Sequence, residues 1–147
     1  MSSEEKGQWV TLVAIGVTYG AYLIIILGRL GQTAPADIDY VPLILWAIGI
    51  GIALAIVGRI AVEIVSRIST EMAGDAEGQE TDVRDRDIGR FGEYVAGTVL
   101  GVGMVVPFVL TLAAFDYFWI ANAMYLAFVV SAVVGAVVKV VAYRRGF

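Results

Sequence analysis

The run YVAGTVLGVGMVVPFVLTLAAF at residues 94–115, a single Asp116, and then YFWIANAMYLAFVVSAVVGAVV at residues 117–138 decide how this chain must fold. Each run slightly exceeds the roughly 20 apolar residues that a helix rising about 1.5 Å per residue needs to cross about 30 Å of hydrocarbon. Neither contains a charge. The short polar link between them leaves room only for a tight reversal, so the pair predicts a transmembrane hairpin. Toward the N-terminus, residues 7–28 and 41–58 repeat the pattern, with charge only at their flanks. The expected fold class is all-α: an integral membrane four-helix bundle of two antiparallel hairpins, with spans at about 8–29, 41–66, 88–115 and 117–143.

Composition supports the same reading. With 147 residues, 59% of them hydrophobic, and a mean hydropathy of +0.82, the chain reads as one transmembrane domain over 1–147 with no room for a soluble one. Glu4 and Glu5 against one Lys6 ahead of the first run make a cleaved signal peptide unexpected, and that run is read as a retained span. There is no cysteine and no histidine, which removes thiolate nucleophiles, Cys/His zinc sites, histidine-ligated haem and imidazole proton relays. No cofactor and no enzyme activity are expected.

Nine of the ten basic residues fall on one side of this topology. Lys6 precedes the first span, Arg59, Arg67, Arg84, Arg86 and Arg90 separate the second from the third, and Lys139, Arg144 and Arg145 close the chain. Only Arg29 lies opposite. The positive-inside rule then places both termini and the long middle connection in the cytoplasm of a prokaryotic cell, the plasma membrane being the bilayer crossed. The formal net charge of −4 gives no reason to expect a nucleic acid partner.

Within the middle connection, Arg59, Glu63 and Arg67 recur every four residues and predict a helical ladder extending the second span, fraying near Ser69. Residues 69–82 are acidic and glycine-broken, and predict a mobile loop. Order is expected to return around Asp82, where Asp82 to Arg86, Asp87 to Arg90 and Arg90 to Glu93 have helical ion-pair spacing. Pro107 predicts a kink in the third span by removing one backbone donor. Lys139 is expected to reach back and pair with Glu93 or Glu63.

Every span carries small residues four apart: Gly16/Gly20, Ala47/Gly51/Ala55, Gly97/Gly101 and Ala127/Ser131/Gly135. Such rows let helix backbones approach closely where lipid offers no hydrophobic incentive to associate, and serve internal packing first and homo-oligomerisation second. Asn122, the one amide inside a span, is expected to join a polar cluster with Tyr19, Tyr22 and Thr111, as structural glue or as a polar pocket near the outer end. No carboxylate lies near a predicted midplane, which argues against a cation-coupled or proton-coupled pump. Asp82, Asp85 and Asp87 lack the spacing of a calcium loop, and no metal is expected.

The stretch RDRDIGRFGEY at residues 84–94 after an acidic loop, WIANAMY at 119–125 and the terminal YRRGF at 143–147 resemble a family of small uncharacterised prokaryotic four-span membrane proteins, actinobacterial members above all. The shared feature is an acidic-basic motif before the third span, here Asp85-Arg86-Asp87. The resemblance implies a sensing or sequestering role and brings no catalytic residue. A small multidrug exporter fits worse, since residues 13–22 hold no carboxylate.

Two functions follow as expectations. The first is a non-catalytic membrane protein that docks a protein partner or a larger complex through a cytoplasmic face of Arg84, Asp85, Arg86, Asp87, Arg90, Glu93, Arg144 and Arg145. The alternative is a small dimeric transporter or channel with a pore lined by Thr18, Tyr22, Thr98, Thr111 and Asn122.

Overall fold

The computed structural model describes residues 3–73 and 79–145, with side chains over 4–68 and 83–145. Five helices account for nearly all of it: α1 (Ser3–Leu30), α2 (Val41–Ala73), α3 (Gln79–Gly103), α4 (Val105–Leu112) and α5 (Tyr117–Arg145). A short 3-10 turn, Pro35–Asp37, lies between α1 and α2. No strand occurs among the described residues. Four helical segments, Glu4–Leu30, Val41–Ile68, Val83–Leu112 and Tyr117–Arg145, are long and apolar enough to cross a membrane.

The third of these segments is broken. Pro107 has no N–H, so the Gly103 carbonyl loses the donor four residues on, and the proline ring pushes that turn open. The helix interrupts at Met104, whose ψ of −12° is well off the helical value. Hydrogen bonding then resumes from the Phe108 N–H to the Met104 carbonyl, 3.2 Å. Pro107 itself is fully buried.

At the other end of α4 the chain reverses on Ala114, the one non-glycine residue with positive φ among those described, at 54°. The Ala114 N–H donates to the Thr111 carbonyl at 3.1 Å and the Phe115 N–H to the Leu110 carbonyl at 3.0 Å. These two bonds form a Schellman cap, which satisfies carbonyls the helix end leaves free. The α2 helix runs on to Ala73, past Ser69, and α3 opens at Gln79. Of the mobile acidic loop expected over 69–82, residues 69–73 and 79–82 are instead helical, while residues 74–78 and the side chains of 69–82 lie outside the described residues.

Packing runs in sequence across the molecule. The α1 helix lies against α2 on one side and α5 on another, while α5 in turn carries α3 and α4. Burial follows this order: a third of the most apolar window of α5 is buried, and none of that of α2. Outward faces are apolar, with Ile24, Trp46, Leu54, Val102 and Phe108 exposed, while polar groups such as Ser131 and Gln8 are buried. Such an inverted surface suits hydrocarbon as the surrounding solvent.

Two of the four small-residue rows are spent on this packing. A Cβ placed on Gly51 would lie 3.2 Å from the Thr18 hydroxyl of α1, and one on Gly135 would lie 2.9 Å from the Ala96 Cβ of α3. Ser131, between Ala127 and Gly135, donates to the Ala96 carbonyl at 2.7 Å. The rows Gly16/Gly20 and Gly97/Gly101 have nothing within 4 Å of such a Cβ.

Candidate functional site

Two polar centres emerge, one at each end of the helices. The first forms where the start of α1 meets the end of α5. Glu5 is buried, its side chain 7% exposed, and accepts from Arg144 Nε at 3.0 Å. The same guanidinium lies 5.7 Å from the centre of the Trp9 ring. Glu4 pairs with Arg59 of α2 at 3.4 Å, and Lys139 of α5 with Glu93 of α3 at 3.7 Å. The Tyr143 hydroxyl lies within electrostatic reach of Asp85, Glu4 and Arg59, so all four long helices contribute charge to this end.

A nearly buried carboxylate costs several kcal/mol unless it is paired, and Arg144 supplies that pairing for Glu5 with stacking on Trp9 besides. The ladder expected within α2 is half present. Arg67 donates to Glu63 at 2.9 Å and 3.2 Å, but Arg59 turns to Glu4. Helix geometry explains the choice, because an acid ahead of a base at i,i+4 is the favourable order and Arg59 to Glu63 is the reverse.

The docking residues named from the sequence therefore divide. Asp85, Glu93 and Arg144 are engaged inside the molecule. Arg84, Arg86, Asp87, Arg90 and Arg145 are exposed, and among the described residues the expected Asp87 to Arg90 and Arg90 to Glu93 ion pairs do not form. Arg86 and Arg90 stand on the face of α3 opposite Ile88, Gly92 and Ala96, which point inward. Gly97 and Gly101, with open space around them, continue that outward stripe at helical spacing.

The second centre lies toward the α1–α2 connection. Tyr22 donates to Asn122 Oδ1 at 2.6 Å, and Asn122 Nδ2 donates to the Phe118 carbonyl at 2.8 Å. The rings of Tyr19, Tyr22 and Tyr125 pack with centroids 5.1 to 6.1 Å apart. Ile26, Ile38 and Phe118 close the cluster, and Arg29 folds back to the Asp39 carbonyl at 3.0 Å.

Thr111 does not join this cluster. Its hydroxyl donates to the Pro107 carbonyl at 2.8 Å, the usual recourse of a threonine in an apolar helix. Thr98 and Thr18 do the same to Tyr94 and Ala14. The five residues named for a pore thus do not share one lining: Thr98 and Thr111 are exposed on α3 and α4, while Tyr22 is buried against Asn122.

Between α1, α2 and α5 runs a cleft of about 480 Å³, lined by Thr18, Tyr19, Gly51, Tyr125 and Phe128 among others. No charged residue lines it. The chain matches no family model, no curated protein and no solved structure. Among the described residues no group of three acids is placed to hold a metal ion.

Sequence reasoning missed Glu5 and Trp9 as partners of Arg144, and Glu4 as the partner of Arg59. The available signal was the pair of acids Glu4 and Glu5 opening α1, which ask for counter-ions such as the C-terminal arginines.

Proposed function

We propose that this chain is a non-catalytic integral membrane protein of a prokaryotic plasma membrane that docks a protein partner or larger complex through its cytoplasmic face. In this reading the four apolar segments form a bundle of two antiparallel hairpins with both termini inside, as the distribution of basic residues favours. The likeness to small four-span prokaryotic proteins points the same way.

The observation that supports docking is the outward stripe of α3. Arg86 and Arg90 are exposed there without an ion-pair partner among the described residues, while Glu93 and Asp85 are engaged internally by Lys139 and Tyr143. Below them Gly97 and Gly101 offer a close approach to another helix. A partner helix with small residues at depth and acids at its cytoplasmic end complements both features. The transporter alternative has less support, since its polar groups do not converge.

The test is co-purification from gently solubilised membranes. Arg86→Glu with Arg90→Glu is expected to remove the specific co-purifying chain while leaving helicity unchanged. An unaltered set of co-purifying proteins overturns the docking function.

A further inference from the structure

We propose that the cleft between α1, α2 and α5 binds a bilayer-dissolved apolar molecule carrying an uncharged acceptor oxygen deep in the membrane, of the class of prenylated quinones. The cleft's volume of about 480 Å³ falls among ligand pockets, which span about 300–1,000 Å³. Its walls are aliphatic and aromatic, and the absence of any charged lining residue excludes a phosphate or carboxylate headgroup.

Hydrogen-bonding capacity narrows the ligand further. Of the three packed tyrosines, Tyr22 spends its hydroxyl on Asn122. Tyr125 is only 8% exposed, lines the cleft, and finds ring contacts but no hydrogen-bond partner for its hydroxyl among the described residues. Tyr19 lines the same space and likewise makes ring contacts only. The remaining hydroxyl, on Thr18, already donates to the Ala14 carbonyl at 2.7 Å. No side-chain hydroxyl among the described residues is both sealed off and unpartnered, so the unbonded phenols of Tyr19 and Tyr125 keep accessible surface. In hydrocarbon, where a phenol without an acceptor is costly, each can donate to a carbonyl that enters the cleft.

Depth separates the possible sources of that carbonyl. Tyr125 follows the start of α5 at Tyr117, and Tyr19 precedes the end of α1 at Leu30, which at the helical rise puts them roughly 12 and 16 Å along their helices from those ends. Glycerolipid esters sit at the interface, outside the hydrocarbon that these positions occupy. A quinone ring dissolved among the chains can bring its carbonyl to this level, and the faces of Phe128 and the tyrosines can pack on it.

The inference is independent of the docking function and is tested on the full chain in nanodiscs of phosphatidylcholine. Decylubiquinone is titrated and quenching of the intrinsic tyrosine and tryptophan fluorescence followed, with decylbenzene, which lacks carbonyls, added as a competitor that relieves the quenching if it takes the same cleft. Saturable quenching is expected, weakened roughly five- to tenfold by Tyr125→Phe or Tyr19→Phe, as loss of one hydrogen bond would do, and abolished by Ala132→Trp, which fills the cleft from α5. Tyr22→Phe, whose hydroxyl faces Asn122, is expected to leave binding unchanged. Displacement of decylubiquinone by an equal concentration of decylbenzene, or wild-type affinity in Ala132→Trp, overturns the proposal. So does a dimer that Ala132→Trp converts to monomer, because the cleft is then covered by a second copy. Helicity measured on each variant separates loss of binding from loss of fold, and Ala132→Trp keeps the test intact if a tyrosine variant does not fold.

Discussion

At the scale of single residues, the molecule puts its polar side chains where each finds one definite partner. Tyr22 and Asn122 bond across α1 and α5 at 2.6 Å, and Ser131 bonds from α5 to α3 at 2.7 Å. Such contacts contribute on the order of 0.6 kcal/mol each, because the unfolded chain in a bilayer also finds partners. Their larger effect is to fix which faces meet. The clearest residue under strain is Ala114, whose φ of 54° places its Cβ against the neighbouring carbonyl, a conformation costing an L-residue about 1–2 kcal/mol. The Schellman cap needs that conformation and glycine adopts it freely. Ala114→Gly is accordingly expected to stabilise the folded protein by about 1 kcal/mol, offset in part by the freer unfolded chain. Reversible unfolding in mixed micelles checks it, and a lower midpoint for the variant would show that the turn is not strained.

At the scale of elements, four apolar helices were legible because hydrocarbon imposes one simple length requirement that residues 94–115 and 117–138 meet without a charge. The break near Pro107 was legible too, since a missing N–H has only one structural consequence in a helix. Which small-residue row packs against which helix was not legible: Gly97/Gly101 and Gly51/Ala55 look alike in sequence, and only the three-dimensional order of the helices separates them. The charge contacts of Arg59 and Arg144 were hidden for the same reason, because their partners Glu4 and Glu5 lie far away along the chain. The distinction between used and unused rows has a measurable consequence. Gly135→Ala would press a methyl against Ala96 and the Gly92 carbonyl, 2.9 and 3.4 Å from its Cβ, and is expected to cost about 1–3 kcal/mol as overpacking. Gly97→Ala, with open space around it, is expected to leave stability equal or improved. Unfolding midpoints of the two variants in the same detergent decide the matter, and equal losses would mean that both rows are buried.

At the scale of the whole molecule, the helices pack in the order α2, α1, α5, then α3 and α4, so α1 and α5 occupy the interior of the arrangement and α2 its margin. This order explains why the cleft exists: α2 and α5 both flank α1, and the space over Thr18 and Tyr19 lies between them. It also makes a prediction that a chain without native cysteine tests cleanly. The Thr18 Cβ lies 3.8 Å from the Cβ position of Gly51, the mean separation across a disulfide. Thr18→Cys with Gly51→Cys is therefore expected to cross-link within one chain on mild oxidation in membranes, read as faster migration on a non-reducing gel. Gly49→Cys with Gly97→Cys, which asks α2 to meet the outward stripe of α3, is expected to give no intramolecular product. Efficient cross-linking of that second pair would require α2 to close onto α3, and the packing order with α2 at the margin would have to be abandoned.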